Sequence, residues 1–461
     1  MKEILKSCID KVDDWVELRY HHRRRNSIMA RGGRIDTAES IVKAGVGVRT
    51  MVDGCYGFSS TDELTETGIM QAVHNAIANA RNLSKLKKRK TPEFRKIPLA
   101  TEDYFAPGYD SLLDMTLQDK MDAVVKMERE GKESSEYITR ATCRYSELLD
   151  DKIIVTSDGA CARQRLAQPE FRLGLIAEKA GVQTTYHSSV GISGNWNDLF
   201  QHPTADRVVE KTSKLVVDLL SAGYVEGGKK TVIMSPSIVG LLSHEAVGHT
   251  VEADFVQSGS VARDKIGERV GSELVTLIDS GAAPFGENPA AVLSFDDEGV
   301  SCRDVTIIDQ GILKSYLHNR ESAIVFEVEP AGNGRAWEYD VEPLIRMRNT
   351  CLAPGTQSLE EIIADTKSGV LLEGSGSGQA DATGEFMFGV GHAVEIKDGK
   401  LGKLFREVTI SGIAFDVLKS VDAISSEFRW DMGAGYCGKG QYAKVDGGGP
   451  YIRCRATLGG K

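Results

Sequence analysis

Ser235-Pro-Ser-Ile-Val-Gly-Leu-Leu-Ser-His244-Glu245-Ala-Val-Gly248-His249-Thr-Val-Glu252-Ala-Asp254 runs from a helix start into two histidines and a carboxylate. Ser235 is placed to cap a helix and Pro236 suits its first turn. Ile238, Val239, Leu241 and Leu242 make the turns that follow apolar. The two histidines stand five residues apart. In a regular helix that spacing turns through roughly 500°, which leaves His249 about 140° away from His244 on the helix surface. A single π-turn between them would return both to one face, and Gly248 would ease irregular backbone there. The spacing therefore predicts a bulge or break between His244 and His249.

Histidines at i and i+4 with an intervening Glu bind one zinc ion on a regular helix. With a bulge, His244 and His249 could do the same, and Glu245 becomes a candidate general base for water that the ion acidifies. Two histidines on an apolar helix can equally be hydrogen-bonded core residues. The adjoining Glu245 weighs against that reading, because a buried carboxylate is costly unless paired or used. Catalytic zinc normally takes three protein ligands. Cys437, in the glycine-rich stretch Asp431-Met-Gly-Ala-Gly-Tyr-Cys437-Gly-Lys-Gly, is the preferred third, with Lys439 nearby to favour ionised sulfur. Cys302, His318 and His392 remain alternatives on spacing alone.

The chain has 461 residues, 41% hydrophobic and 26% charged, enough for two or three domains with sizeable cores. A formal net charge of -10 gives no support to a general nucleic-acid or membrane-surface role. The cluster His21-His22-Arg23-Arg24-Arg25 reads as a solvated strand face balanced by Asp13, Asp14 and Glu17. No apolar stretch approaches the roughly 20 residues that span a bilayer, and the N-terminal residues are too polar for a signal peptide, so a cytoplasmic location is expected. Eight cysteines without a Cys-x-x-Cys pair argue against a zinc ribbon or a disulfide framework.

Along the chain, residues 1–60 read as a short helix followed by several strands with Gly-Gly and Asp-Gly turns, an antiparallel sheet. A helix follows to about Leu83, with Lys85 to Arg95 as a linker. A second helix covers Thr116 to Met127. Strands then run to about Val190, with turns at Asp150-Asp151 and Asp158-Gly159. A helix over Thr204–Ala222 and a buried strand over 228–234 deliver the chain to His244. The remainder is strand-rich and glycine-rich. Asp296-Asp297-Glu298 could hold a divalent ion, but a solvated or Arg-paired turn is preferred. Gly374-Ser-Gly-Ser-Gly378 lacks the lysine and the strand-to-helix setting of a phosphate loop, and suits backbone that approaches a ligand closely.

Taken together, these residues resemble the TldD/PmbA peptidases, once described as modulators of DNA gyrase. The resemblance rests on Ala44-Gly-Val-Gly-Val-Arg, His244-Glu245-Ala-Val-Gly-His249, Asp296-Asp-Glu-Gly, Gly332-Asn-Gly-Arg, Gly374-Ser-Gly-Ser-Gly-Gln and Cys437-Gly-Lys-Gly-Gln. It implies zinc on His244, His249 and Cys437, with Glu245 catalytic. It implies an α+β protein, with an N-terminal α/β domain over residues 1–225 and a C-terminal β-rich, barrel-like domain over 226–461 that carries the metal-site helix. It also implies a peptide substrate and a homodimer, or a heterodimer with a motif-less paralogue. Gly374, Gly376, Gly378 and Gly435 are candidates for lining the substrate path. The competing class is a non-enzymatic binding protein of the gyrase-modulator type, with a structural His-Glu helix.

Overall fold

A computed structural model describes residues 1–86, 96–201, 203–286 and 288–460; most of the linker expected at 85–95 lies outside the described residues. The N-terminal half is built on a seven-stranded sheet. Its long strands are β1 (Trp15–Arg31), β2 (Arg34–Val52), β3 (Cys55–Thr61), β4 (Ile138–Thr156), β5 (Cys161–Lys179) and β6 (Val182–Gly191), and the seventh is the two-residue Tyr104–Phe105. They lie in the order β3-β2-β1-β4-β5, with β6 and Tyr104–Phe105 both paired to β5. Helix α1 (Glu66–Ser84) buries Ile69, Ala72, Val73, Ala76 and Ile77 in a cluster that also holds Val16, Leu18, Val46 and Val48 of the sheet. Helices α2 (Leu117–Glu133) and α3 (Ala205–Asp218) cover Ile28, Tyr145, Phe171 and Leu173 in a second cluster.

Strands β1, β2 and β4 are longer and less interrupted than the sequence suggests. Asp150 and Asp151 form no turn; β4 runs straight through them. Asp150 accepts from Arg23 Nε at 2.6 Å and lies 3.0 Å from His21 Nε2, while Asp151 accepts from Arg163 Nε at 2.7 Å. This also corrects the reading of the basic cluster. His21 and Arg23 are buried, and Arg23 lies flat against Trp337, 3.8 Å from its ring centroid. Charges that mark a turn when unpaired sit in mid-strand here because the neighbouring strand supplies the counter-charge.

The C-terminal half is organised by β7 (Gly228–Met234), β8 (Ser368–Ala380), β9 (Glu385–Lys397), β10 (Val408–Ile413) and β11 (Asp446–Gly459). β7 pairs with β8, β8 with β9, β9 with β10, β10 with β11, and β11 returns to β7, so the five close into a barrel within an 11-stranded sheet. The protein is thus α+β, with an antiparallel N-terminal sheet and a C-terminal barrel. The helix from Pro236 packs on this barrel and is fully buried, apolar except for Ser237, whose hydroxyl pairs with that of Ser235 at 3.1 Å. Its close approach explains Gly240 and Gly449: a Cβ on Gly240 would fall 2.6 Å from the Gly447 carbonyl carbon, and one on Gly449 would fall 2.5 Å from Val239 Cγ1.

Buried ion pairs join the two halves. Arg49 Nη2 donates to both Glu17 and Glu298 at 2.7 Å, and Lys152 Nζ lies 2.9 Å from Asp297. Asp296 instead caps its own turn, accepting from Glu298 N and Val300 N at 2.9 Å. The acidic triplet is therefore a buried, Arg- and Lys-paired turn, and not a solvated one.

Candidate metal centre

Helix α4 (Pro236–Leu241) continues as a π-helix over Leu242–Gly248 and then one 3-10 turn over His249–Val251. The His249 N–H donates to the His244 carbonyl, the five-residue step that the spacing required. It brings the two imidazole rings to a centroid separation of 5.2 Å. Gly248 plays a different part from the one expected. Its φ is an ordinary -55°, but a Cβ there would lie 2.0 Å from Met347 Sδ, so glycine is needed for space and not for backbone freedom.

Cys437 arrives from the other side, on a small hairpin of Tyr436–Gly438 and Tyr442–Lys444 where a glycine-rich loop was expected. Its Sγ is 3.1 Å from His249 Nε2, and the ligand atoms of His244, His249 and Cys437 all lie within 4.8 Å of one another. Among the described residues this is the one such group of three. The alternatives are elsewhere: Cys302 contacts the Gly332 carbonyl, His318 faces Ser322, and His392 lines a separate cavity.

The donor set fits a metal ion. His244 is 1% exposed, yet neither ring nitrogen has a hydrogen-bond partner, a costly state for a buried imidazole. Two imidazoles and a thiolate suit zinc. Burial alone would push the Cys437 thiol up, but the two imidazoles outweigh it and bring its pKa to about 4. Burial would likewise lower His249, yet Cys437 and Glu252 raise it to about 10.

Sequence reasoning cast Lys439 as a group that favours ionised sulfur, whereas its ammonium is bound by Glu252 and Asp254, and it missed Glu252 and Arg346 as groups that hold the three donors. Glu252 Oε2 lies 3.1 Å from His249 Nδ1, and Lys439 Nζ lies 3.0 Å from the same oxygen. Lys439 also reaches Asp254 at 2.7 Å and the Ile345 carbonyl at 3.1 Å, tying the hairpin to the helix. Arg346, fully buried, donates to the Cys437 carbonyl at 2.7 Å and to Gln441 O at 2.9 Å, gripping the first hairpin strand and the turn that follows it. The available signal was the spacing His249-x-x-Glu252, which puts a carboxylate one turn from a ligand. Glu245 is partly exposed, with Oε2 3.7 Å from His249 Nε2.

The glycine candidates divide. Gly374 has φ +71° and lines a cavity away from the three ligands. Gly376 and Gly378 belong to β8, where added Cβ atoms would lie 3.2 Å from the Gly389 carbonyl carbon and 2.2 Å from Phe388 Cδ1. Gly435 closes on the Met432 carbonyl. β8 pairs with β7 only over Val370–Leu372, so residues 373–380 have one edge without a strand partner among the described residues. The turn that joins β8 to β9 approaches the helix of His244, with Gly384 beside the Ala246 carbonyl.

Profiles of known families match three parts of the chain: residues 16–80 the PmbA/TldA metallopeptidase domain 1, 110–219 its central domain, and 227–460 its C-terminal domain. A metalloprotease of Methanocaldococcus jannaschii is 32% identical over 97% of both chains. A zinc metalloprotease TldD homologue of Saccharolobus solfataricus is 26% identical over 99% of this chain and 98% of its own. Among solved structures, a Thermotoga maritima protein described as a candidate modulator of a DNA gyrase superposes with a TM-score of 0.79 at 20% identity, over 99% of this chain and 100% of its own. TldE of Thermococcus kodakarensis superposes with a TM-score of 0.77 at 19% identity, over 99% of both chains. At these identities the two structures speak for the fold. No helix among the described residues is long and apolar enough to cross a membrane.

Proposed function

Because the chain belongs to the PmbA/TldA metallopeptidase family, we propose that it is a zinc-dependent peptidase that hydrolyses peptide bonds in extended or unfolded peptides, with His244, His249 and Cys437 as ligands and Glu245 as catalytic base. The observation that carries this reading is the convergence of three donor atoms on a π-turn built around His244, with both nitrogens of that buried histidine unbonded. A bound zinc ion would supply Lewis acidity that acidifies water and polarises a carbonyl.

The chain's own groups do the rest. Glu245 Oε2, partly open to solvent, accepts the proton of the attacking water and returns it to the leaving amine nitrogen. Glu252 holds His249 through Nδ1 and leaves Nε2 facing Cys437. The free edge of β8 can take an extended peptide as an added strand, which binds main chain with little regard to side chains. The same reading makes the working unit a dimer, with a second copy or with a motif-less relative.

The test is Glu245→Ala. Hydrolysis of an unfolded protein such as reduced, alkylated casein should fall by at least 100-fold while zinc content and thermal stability hold. Unchanged hydrolysis would remove Glu245 from the mechanism, and no hydrolysis by wild type alone or with a motif-less relative would favour the non-enzymatic binding class.

A further inference from the structure

A cavity of about 360 Å³ lies where β6 and α3 of the N-terminal half meet β8, β9 and the strand Ala423–Trp430. None of His244, Glu245, His249 or Cys437 lines it. Its volume falls in the range that accepts small ligands.

Its charges, half-buried on Asp431 and Glu373 and solvent-exposed on Lys211 and Arg429, are left apart where the buried pairs of the core are joined. Arg348 and Asp279, for comparison, are joined at 2.8 Å, and Lys152 and Asp297 at 2.9 Å. In the cavity, Asp431 and Glu373 face Lys211 and Arg429, close enough to affect one another's ionisation, yet no such pair among the described residues comes within 4.0 Å. The Asp431 carboxylate and the Lys211 ammonium have no hydrogen-bond or ion-pair partner among the described residues. Glu373 and Arg429 are each linked only to the Tyr451 hydroxyl, at 2.9 Å and 3.1 Å. The buried Nδ1 of His392 is also without a partner. Burial raises Asp431 to about 6 despite its cationic neighbours, so the carboxylate gains from a bound cation. Phe428 and Trp430, with ring centroids 5.0 Å apart, give the cavity an aromatic wall.

We propose that this cavity binds a short zwitterionic peptide of dipeptide size, its free ammonium on Asp431 and Glu373 and its carboxylate on Lys211 and Arg429. The ligand spans the gap that the protein's own charges leave open and satisfies both sides at once. The choice of a peptide over another amphoteric molecule rests on the peptidase reading; the demand for both charges rests on the cavity. A site of this kind would hold a product, or one end of a substrate, apart from the metal centre.

The experiment is calorimetric titration of the full-length Glu245→Gln protein with glycyl-L-phenylalanine, N-acetyl-glycyl-L-phenylalanine and glycyl-L-phenylalaninamide. The unmodified dipeptide should bind, and either modification should weaken it at least tenfold. Asp431→Asn should weaken the unmodified dipeptide at least tenfold and leave the N-acetyl form unchanged. Lys211→Met, at an exposed position that the fold does not need, should weaken the unmodified dipeptide and leave the amide unchanged. Binding should persist within twofold when Cys437→Ser is added. No saturable binding, equal binding of all three ligands, or binding lost with Cys437→Ser but indifferent to Asp431→Asn and Lys211→Met would overturn the proposal. Casein hydrolysis by the wild type reports separately on the peptidase reading.

Discussion

Glu252 Oε2 lies 3.1 Å from His249 Nδ1, so a fully buried carboxylate fixes the ring whose other nitrogen faces Cys437. Such partners orient a metal-binding histidine, and their loss typically costs 10–100-fold in metal affinity. Glu252→Gln should therefore weaken zinc binding by about that factor in competition with a chromophoric chelator. Lys439→Met, which unties the hairpin from Glu252 and Asp254, should weaken it less. Unchanged affinity in both variants would mean that the ligands hold their positions unaided.

Gly248 should tolerate no side chain while Met347 is present. Gly248→Ala puts a methyl 2.0 Å from Met347 Sδ, and overpacking of this kind costs about 1–3 kcal/mol. Gly248→Ala/Met347→Ala should recover part of the lost melting temperature relative to Gly248→Ala, because φ at Gly248 is one that alanine adopts freely. A double variant less stable than both single variants would show that Met347 is not the contact that excludes a side chain, leaving the Ser243 carbonyl, 3.0 Å from the added Cβ.

Arg49 bridges the two halves through Glu17 and Glu298. Arg49→Met leaves two carboxylates buried and facing each other, and breaking a buried pair in this way costs about 3–5 kcal/mol. The melting temperature should fall by several degrees, and Glu298→Gln in the same chain should restore some of it. An unchanged melting temperature would mean that the bridge adds nothing net.

The buried histidines should contribute stability that is lost in mild acid. Burial lowers His21 to about 4 even though Asp150 opposes it, and burial likewise lowers His318 and His392 to about 4. Below the ordinary pKa of about 6.5 the unfolded chain binds protons that these buried rings refuse, so stability falls from pH 6.5 towards pH 4. Asp446, raised to about 7 by burial, acts in the opposite sense, losing stability as pH rises towards 7. The informative quantity is therefore a difference. His21→Gln should flatten the dependence between pH 6.5 and 4, by up to the order of 3 kcal/mol at the acid end. Parallel curves for wild type and variant would contradict it.

The irregular helix around His244 was legible because helix geometry is strict. Two histidines five residues apart beside a glutamate cannot share a ligand unless the helix adds a residue to one turn, and the structure adds it. Cys437 was one of four open choices on spacing, since nothing local records that Arg346 and Lys439 pull its hairpin against the helix. The misreadings share one cause. Asp150-Asp151 looks like a turn until Arg23 and Arg163 are known to lie beside it, and Gly374 to Gly378 looks like backbone kept bare for a ligand until Gly389 and Gly391 are known to lie across from it. Each is decided by a residue distant in sequence.

The most direct measurement is zinc per chain by elemental analysis, on dialysed and zinc-reconstituted wild type beside Cys437→Ser. The account predicts about one zinc per chain in wild type and far less in Cys437→Ser. Equal zinc in the two proteins, or none in wild type after reconstitution, would contradict a centre made of His244, His249 and Cys437.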